Sequence, residues 1–183
     1  VGSRAGARPV TVHSCDQSAA EVTVAMGPAR LDGTSTVTIA GRALTGDAVD
    51  VGNPHLACVV ADLTAQTLAA LDLTVAPVLN GADFPAGANV EVLTPLEPAS
   101  SPLDFTSHLR VYERGVGETR SCGTGLVAGA AAALHGIGRS EGTVGITVPG
   151  GGVTVTIAAG QAYLRGPSRL VARGELIDGF LGG

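Results

Sequence analysis

Short apolar runs rich in Val, Ile and Thr recur along the chain, each bounded by Gly, Pro or Asp. Runs of that length and composition are the signature of β-strands. They predict strands at residues 9–13, 21–26, 36–39, 47–51, 55–60, 89–93, 108–113, 143–148, 153–157, 161–165 and 170–176. Gly41-Arg42 and Gly52-Asn53-Pro54 read as turns, and Pro149-Gly150-Gly151-Gly152 as the loop of a hairpin. Only two stretches follow a helical period. Residues 64–71 follow Asp62 and carry Leu68 and Leu71, with Leu63 just before, on one face. Residues 125–137 are a run of Ala with Leu126, Val127 and Leu134, closed by Gly136 and Gly138. A helix with small residues almost all round is expected to be buried inside a sheet rather than to lie upon one. Residues 94–104 fit neither period, and Pro95, Pro98 and Pro102 mark a loop. The pattern predicts one α+β domain, a barrel-like sheet wrapped around a central Ala-rich helix.

Composition narrows the function classes. The 183 residues are 45% hydrophobic and 15% charged, enough to bury a core and too apolar for a disordered chain. Aromatic residues are 3% with no Trp, and the net charge is -5, which disfavours stacking platforms and phosphate-binding patches. Nucleic acid is therefore not an expected partner. All 11 basic residues are Arg. Without Lys, the chain has no pyridoxal-phosphate Schiff base, no Walker-type lysine and no lysine nucleophile. The three cysteines, Cys15, Cys58 and Cys122, lack zinc-knuckle spacing and form no disulfide framework. No apolar run has membrane-spanning length and no signal peptide opens the chain, so a cytoplasmic protein without membrane contact is expected. The start at Val1, without Met, reads as a fragment.

The chemistry concentrates in one segment, Glu113-Arg114-Gly115-Val116-Gly117-Glu118-Thr119-Arg120-Ser121-Cys122-Gly123-Thr124-Gly125, which joins a strand to the Ala-rich helix. Cys122 falls at the helix N-terminus, where the dipole favours a thiolate; an exposed thiol of lowered pKa is expected there. Gly123, Thr124 and Gly125 offer backbone N–H groups as a seat for a carboxylate. Glu113 and Arg114 add a carboxylate and a guanidinium fork at the strand end. A thiolate beside an anion cradle suits proton abstraction next to a substrate carboxylate. A nucleophilic Cys122 with His55 or His108 as base is the competing reading. Cys15 and Cys58, in or beside strand-like runs, are expected to be buried as small hydrophobes. In Gly52-Asn53-Pro54-His55, Asn53 is held extended by the following Pro and can project its amide from a turn. Asn89 opens a strand.

Gly52-Asn53-Pro54-His55, Asn89-Val90-Glu91, the segment from Glu113 to Thr119, and Cys122-Gly123-Thr124-Gly125 occur in that order, with Leu164-Arg165-Gly166-Pro167 near the end. This series strongly resembles the C-terminal half of the diaminopimelate epimerase family, over nearly the whole chain. The resemblance implies two pseudo-symmetric domains, each a barrel around a helix, with the active site between them. It also implies epimerisation of LL- to meso-diaminopimelate, in lysine and cell-wall precursor synthesis, without metal, pyridoxal phosphate or other cofactor. One cysteine from each domain serves, one as base and one as acid. Carried over, Cys122 is the second acid/base, and Gly123 and Thr124 bind the α-carboxylate. Asn53, Asn89 and Arg114 hold the distal amino acid group, Glu113 lies close to the reacting centre, and His55 and Glu113 tune the cysteines. Residues 1–176 would be the C-terminal domain, and residues 177–183 a tail returning to an N-terminal domain whose Cys-Gly-Asn motif has no match here. The expected partners are the substrate and that domain, a homodimer being among the assemblies allowed, and the isolated chain is expected to be inactive. Other readings are a racemase or isomerase of the same fold, or a non-catalytic ligand-binding half-domain. The Asn53, Asn89 and Arg114 set speaks against proline racemases, whose substrates lack the distal group.

Overall fold

The computed structural model describes residues 2–3 and 6–175. A small ribbon of β1 (Gly2–Ser3) and β2 (Gly6–Ala7) comes first. Then follow β3 (Val10–Cys15), β4 (Ala19–Gly27), β5 (Arg30–Ile39), β6 (Arg42–Asp50), β7 (Pro54–Val59) and helix α1 (Ala65–Ala69). The middle of the chain forms β8 (Val78–Leu79), β9 (Asn89–Leu93), β10 (Glu97–Pro98), β11 (Phe105–Glu113) and β12 (Gly117–Thr119). Helix α2 (Gly123–Gly136) leads into β13 (Gly142–Val148), β14 (Gly151–Ala158) and β15 (Gln161–Arg169). The main sheet runs β3-β4-β15-β14-β13-β11-β9-β7-β6-β5-β8, with β10 and β12 pairing onto β11. The pairs β7/β9 and β11/β13 are parallel and the others antiparallel, so this is a mixed α+β architecture.

Alternation along the central strands sorts side chains into two cores. Ala57, Leu93, Leu109 and Val111 face α2 and pack with Leu126, Val127 and Leu134. Leu56, Cys58, Val90 and Val92 point the other way, onto Leu68 of α1, Val37 and Ile39. In α2, every residue from Gly125 to Leu134 is buried, as expected of a helix whose small side chains cover no polar face. It touches β15, β14, β13, β11, β9, β7 and β6, an unbroken run of neighbours in the sheet. The approach is close. A Cβ on Gly129 would lie 2.7 Å from Leu109 Cδ1 and 2.9 Å from Leu93 Cδ2. Among the described residues, no helix is long and apolar enough to cross a membrane.

Three expectations are corrected. The separate strands at 161–165 and 170–176 are replaced by one strand, β15, ending at Arg169, and residues 170–175 are irregular. Gly166-Pro167 looks like a break but is tolerated because β14 pairs only as far as Arg165, leaving Pro167 a partner in β4 alone. Helix α1 is shorter than 64–71: Thr64 is its N-cap, and Arg110 Nη1 donates to the carbonyls of Leu68 (2.8 Å), Ala69 (3.1 Å) and Leu71 (2.5 Å), closing its far end. The loop at 94–104 contains the two-residue β10. The expected tail at 177–183 lies outside the described residues.

Gly129→Val should destabilise the chain by about 1–3 kcal/mol, because its methyls enter a packed interface with no room to relax. Urea unfolding followed by circular dichroism measures it. An unchanged midpoint would show that α2 stands further from β9 and β11 than described.

Candidate active site

Three neighbouring strands and one helix start bring the polar residues together. His55 on β7 is the register partner of Asn89 on β9, Ala57 of Glu91, and Glu91 in turn of Val111 on β11. Alternation therefore puts His55, Asn89, Glu91 and, two residues beyond Val111, Glu113 on the sheet face that receives α2. This face is apolar further along, at Leu93 and Leu109, and polar where α2 begins.

Cys122 is the N-cap of α2, with extended backbone at φ -133 and ψ 113, so the helix starts before the expected residue 125. Its carbonyl accepts the first helical bond from Leu126 N at 2.9 Å. Sγ lies 3.5 Å from Thr124 Oγ1. Gly123 and Thr124 occupy the first helical positions and are partly exposed. The expectation of an exposed thiol with lowered pKa is overturned. Cys122 is 9% exposed. Burial pushes its thiol above the ordinary value, and the Glu113 and Glu91 carboxylates push the same way against the Thr124 hydroxyl and the Gly125 N–H. The helix terminus is there, but desolvation of the anion outweighs it.

Glu113 closes β11 and accepts a hydrogen bond from Thr119 Oγ1 at 2.5 Å across the β11–β12 pair. Asn89, 7% exposed, accepts the Arg114 backbone N–H through Oδ1 at 2.9 Å. Arg114 Nη1 donates to the carbonyls of Ala86 (3.1 Å) and Gly87 (3.3 Å). Asn89 and Arg114 are thus assembled as one unit. Asn53 and His55 instead line a cleft of about 550 Å³ with Asp32, Ser35, Asp50 and Asp83, a lining that does not include Cys122.

Glu91 was not singled out by sequence reasoning. Its Oε1 lies 2.7 Å from His55 Nδ1, and both side chains are 0% exposed. A Cβ on Gly125 would lie 2.5 Å from that same oxygen, so only glycine fits in this turn of α2. Burial pushes the Glu91 carboxyl above its ordinary range, with the His55 bond pulling the other way. The signal was available: a lone carboxylate in a strand buried at all five positions.

The competing Cys–His reading loses one candidate: His108 is exposed and sits one residue out of step with Leu109, on the face of β11 away from α2. His55 has its Nδ1 on Glu91, and among the described residues its Nε2 makes no hydrogen bond, to Cys122 or to any other group. Among the described residues no group of three or more His, Cys, Asp or Glu is placed to hold a metal ion.

A family model described as Diaminopimelate epimerase matches residues 47–171, which include all of these groups. The chain belongs to the diaminopimelate epimerase family. A diaminopimelate epimerase of Rhodococcus opacus is 57% identical over 183 residues, covering 100% of this chain and 61% of that protein. One of Mycobacterium tuberculosis is 53% identical over 178 residues, covering 97% of this chain and 60% of the relative. The chain thus spans about 60% of the length of the curated relatives it matches. A solved phenazine biosynthesis protein from Enterococcus faecalis superposes with a TM-score of 0.47 at 13% identity, over 93% of this chain and 61% of that one.

The two remaining cysteines divide. Cys58 is buried as expected, and burial, with the Glu91 and Asp47 carboxylates, pushes its thiol up to about 12. Cys15, expected to be buried, is exposed because β3 is an end strand of the sheet. Limiting iodoacetamide at neutral pH should therefore modify Cys15 first, Cys122 second and Cys58 last, as mapped by peptide mass. Only the thiolate reacts, so Cys122 labelling should accelerate as pH rises. Labelling of Cys122 ahead of Cys15 would contradict the burial described.

Proposed function

We propose that this chain is the second-cysteine half of an enzyme that interconverts LL- and meso-diaminopimelate without a cofactor. The observation that carries the proposal is Cys122 at the start of α2, with Gly123 and Thr124 beside it and Glu113 close by. Family membership makes the α-carbon of an amino acid the natural reacting centre.

In this reading the substrate α-carboxylate sits on the first N–H groups of α2, where the dipole favours negative charge as it develops. One thiolate takes the α-proton: the C–H bond breaks, an S–H bond forms, and the electron pair delocalises into the carboxylate. The other thiol gives its proton to the opposite face, so a new C–H bond forms as its S–H bond breaks. The two sulfurs finish with protonation states exchanged. Cys122 supplies one of them. Asn53, Asn89 and Arg114 hold the distal amino acid group, and His55 and Glu113 tune the thiol. A pKa displaced by burial and carboxylates keeps Cys122 protonated, as the acid partner requires.

The second cysteine belongs to the part of the protein that the relatives have beyond this span. We read the whole as two pseudo-symmetric barrels, each around one helix. The unbroken run of strands touching α2 supports a barrel here. In this reading the chain supplies the C-terminal unit. The setting is cytoplasmic lysine biosynthesis.

The test is a fusion that supplies the remaining part from the Rhodococcus opacus relative. It should convert LL- to meso-diaminopimelate and take up solvent deuterium at the α-carbon, and Cys122→Ala should abolish both. Arg114→Lys in the fusion should cut kcat/KM roughly ten- to a hundredfold, the ~1.5–3 kcal/mol of a charged hydrogen bond, with little change in Tm. The 183-residue chain alone should give no turnover. A folded fusion without exchange, or strong Cys122-dependent conversion by the isolated chain, would overturn the two-thiol reading.

A further inference from the structure

We propose that Glu91 is a positioning residue: it fixes the His55 imidazole through Nδ1 and so leaves Nε2 as the nitrogen offered to the reacting groups. The role rests on the epimerase reading, because it acts through His55.

The geometry is specific. The 2.7 Å contact between Glu91 Oε1 and His55 Nδ1 joins two strands at a point sealed from solvent. That bond needs one proton between the two atoms. Carried on Nδ1 it makes Nε2 the acceptor of neutral His55, and carried on Glu91 Oε1 it would put the ring hydrogen on Nε2; we assign it to Nδ1, donating to a carboxylate. Among the described residues, the buried His55 Nε2 and Glu91 Oε2 atoms find no hydrogen-bond partner. Unpaired polar atoms in such a place are costly, and packing alone would be served better by Leu or Met, the company Glu91 keeps at Val90, Val92 and Leu93. The first turn of α2 is also shaped to this carboxylate, since Gly125 leaves the space that Oε1 occupies. Glu91 therefore touches both the imidazole and the helix that Cys122 caps. His55 in turn lines the cleft that holds Asn53.

The titratable groups acting on or felt from Glu91 are His55 and Cys58 on β7, Glu113 on β11 and Cys122 on α2. An anionic Glu91 disfavours the Cys122 thiolate, and Glu91→Gln removes that effect, so the Cys122 midpoint should move to lower pH.

Imidazole ¹⁵N spectra of the 183-residue chain, recorded near neutral pH, read the His55 tautomer without reference to activity. Wild type should show His55 with Nδ1 protonated and Nε2 bare near neutrality. Glu91→Gln should weaken that tautomer, and Glu91→Asp, with the charge on a shorter arm, should restore part of it. Wild-type His55 carrying its proton on Nε2, or Gln and wild-type spectra that superpose, would overturn the proposal. The wild-type tautomer decides the matter even if a variant does not fold. In the fusion, Glu91→Gln should shift the pH profile of kcat while KM stays near the wild-type value. An inactive wild-type fusion would sink the epimerase reading and leave the tautomer result standing. An active fusion whose pH profile ignores Glu91→Gln would sink this role and leave the epimerase reading intact.

Discussion

Four residues of α-helix and two of β-strand advance by nearly the same distance, about 6 Å and 6.6 Å. Helix α2 lies against β9 in that register, with Gly125 at Glu91 and Gly129 at Leu93. Each glycine removes the Cβ that would otherwise hold the helix off the sheet. The same stripe does two things in succession. At Gly129 it lets Leu93 and Leu109 fill the interface, which fixes the depth of the helix. One turn earlier, at Gly125, it admits a carboxylate under the helix start and so places Cys122, the cap of that turn, within the influence of Glu91 and Glu113. Packing sets the helix depth, and the depth sets the electrostatics of the thiol.

Residues with one strong local cause were legible in the sequence. β9 falls on its expected bounds, 89–93, because a short apolar run between a Gly-Ala pair and a Pro has little freedom. The turn at Gly52-Asn53-Pro54 and the hairpin between β13 and β14 follow from Gly and Pro in the same way. What escaped depends on partners distant in sequence. β15 runs through Gly166-Pro167 because β4 pairs with it there, over a hundred positions away along the chain. The exposure of Cys15 follows from β3 taking an end position, which no local pattern encodes. Glu91 had a local sign, its charge within a buried strand, but its partner His55 lies on another strand and its cavity is a missing Cβ on a helix. The motif placed Asn89 in a binding role. The structure adds that its amide already holds the Arg114 backbone, so it shapes the loop that bears the guanidinium.

A helix N-terminus is often read as a device for making thiolates, and here it does not act alone. Its favourable effect on an anion is on the order of 0.3–1 kcal/mol at exposed sites, whereas burial of the sulfur and two nearby carboxylates all oppose ionisation of Cys122. For a nucleophile that must attack as a thiolate, this balance is unhelpful. For a group that alternates between acid and base it is useful, since each state must be reachable and neither can be too stable. In the proposed epimerase reading the helix terminus has a different task. Its N–H groups would keep their preference for negative charge when a substrate carboxylate approaches, and that preference would grow as the α-proton leaves and charge moves onto the carboxylate oxygens. On that reading the dipole acts on the substrate more than on the sulfur. The burial pattern agrees with that division: Cys122 is buried near two carboxylates, while Gly123 and Thr124, one and two positions along, remain partly open.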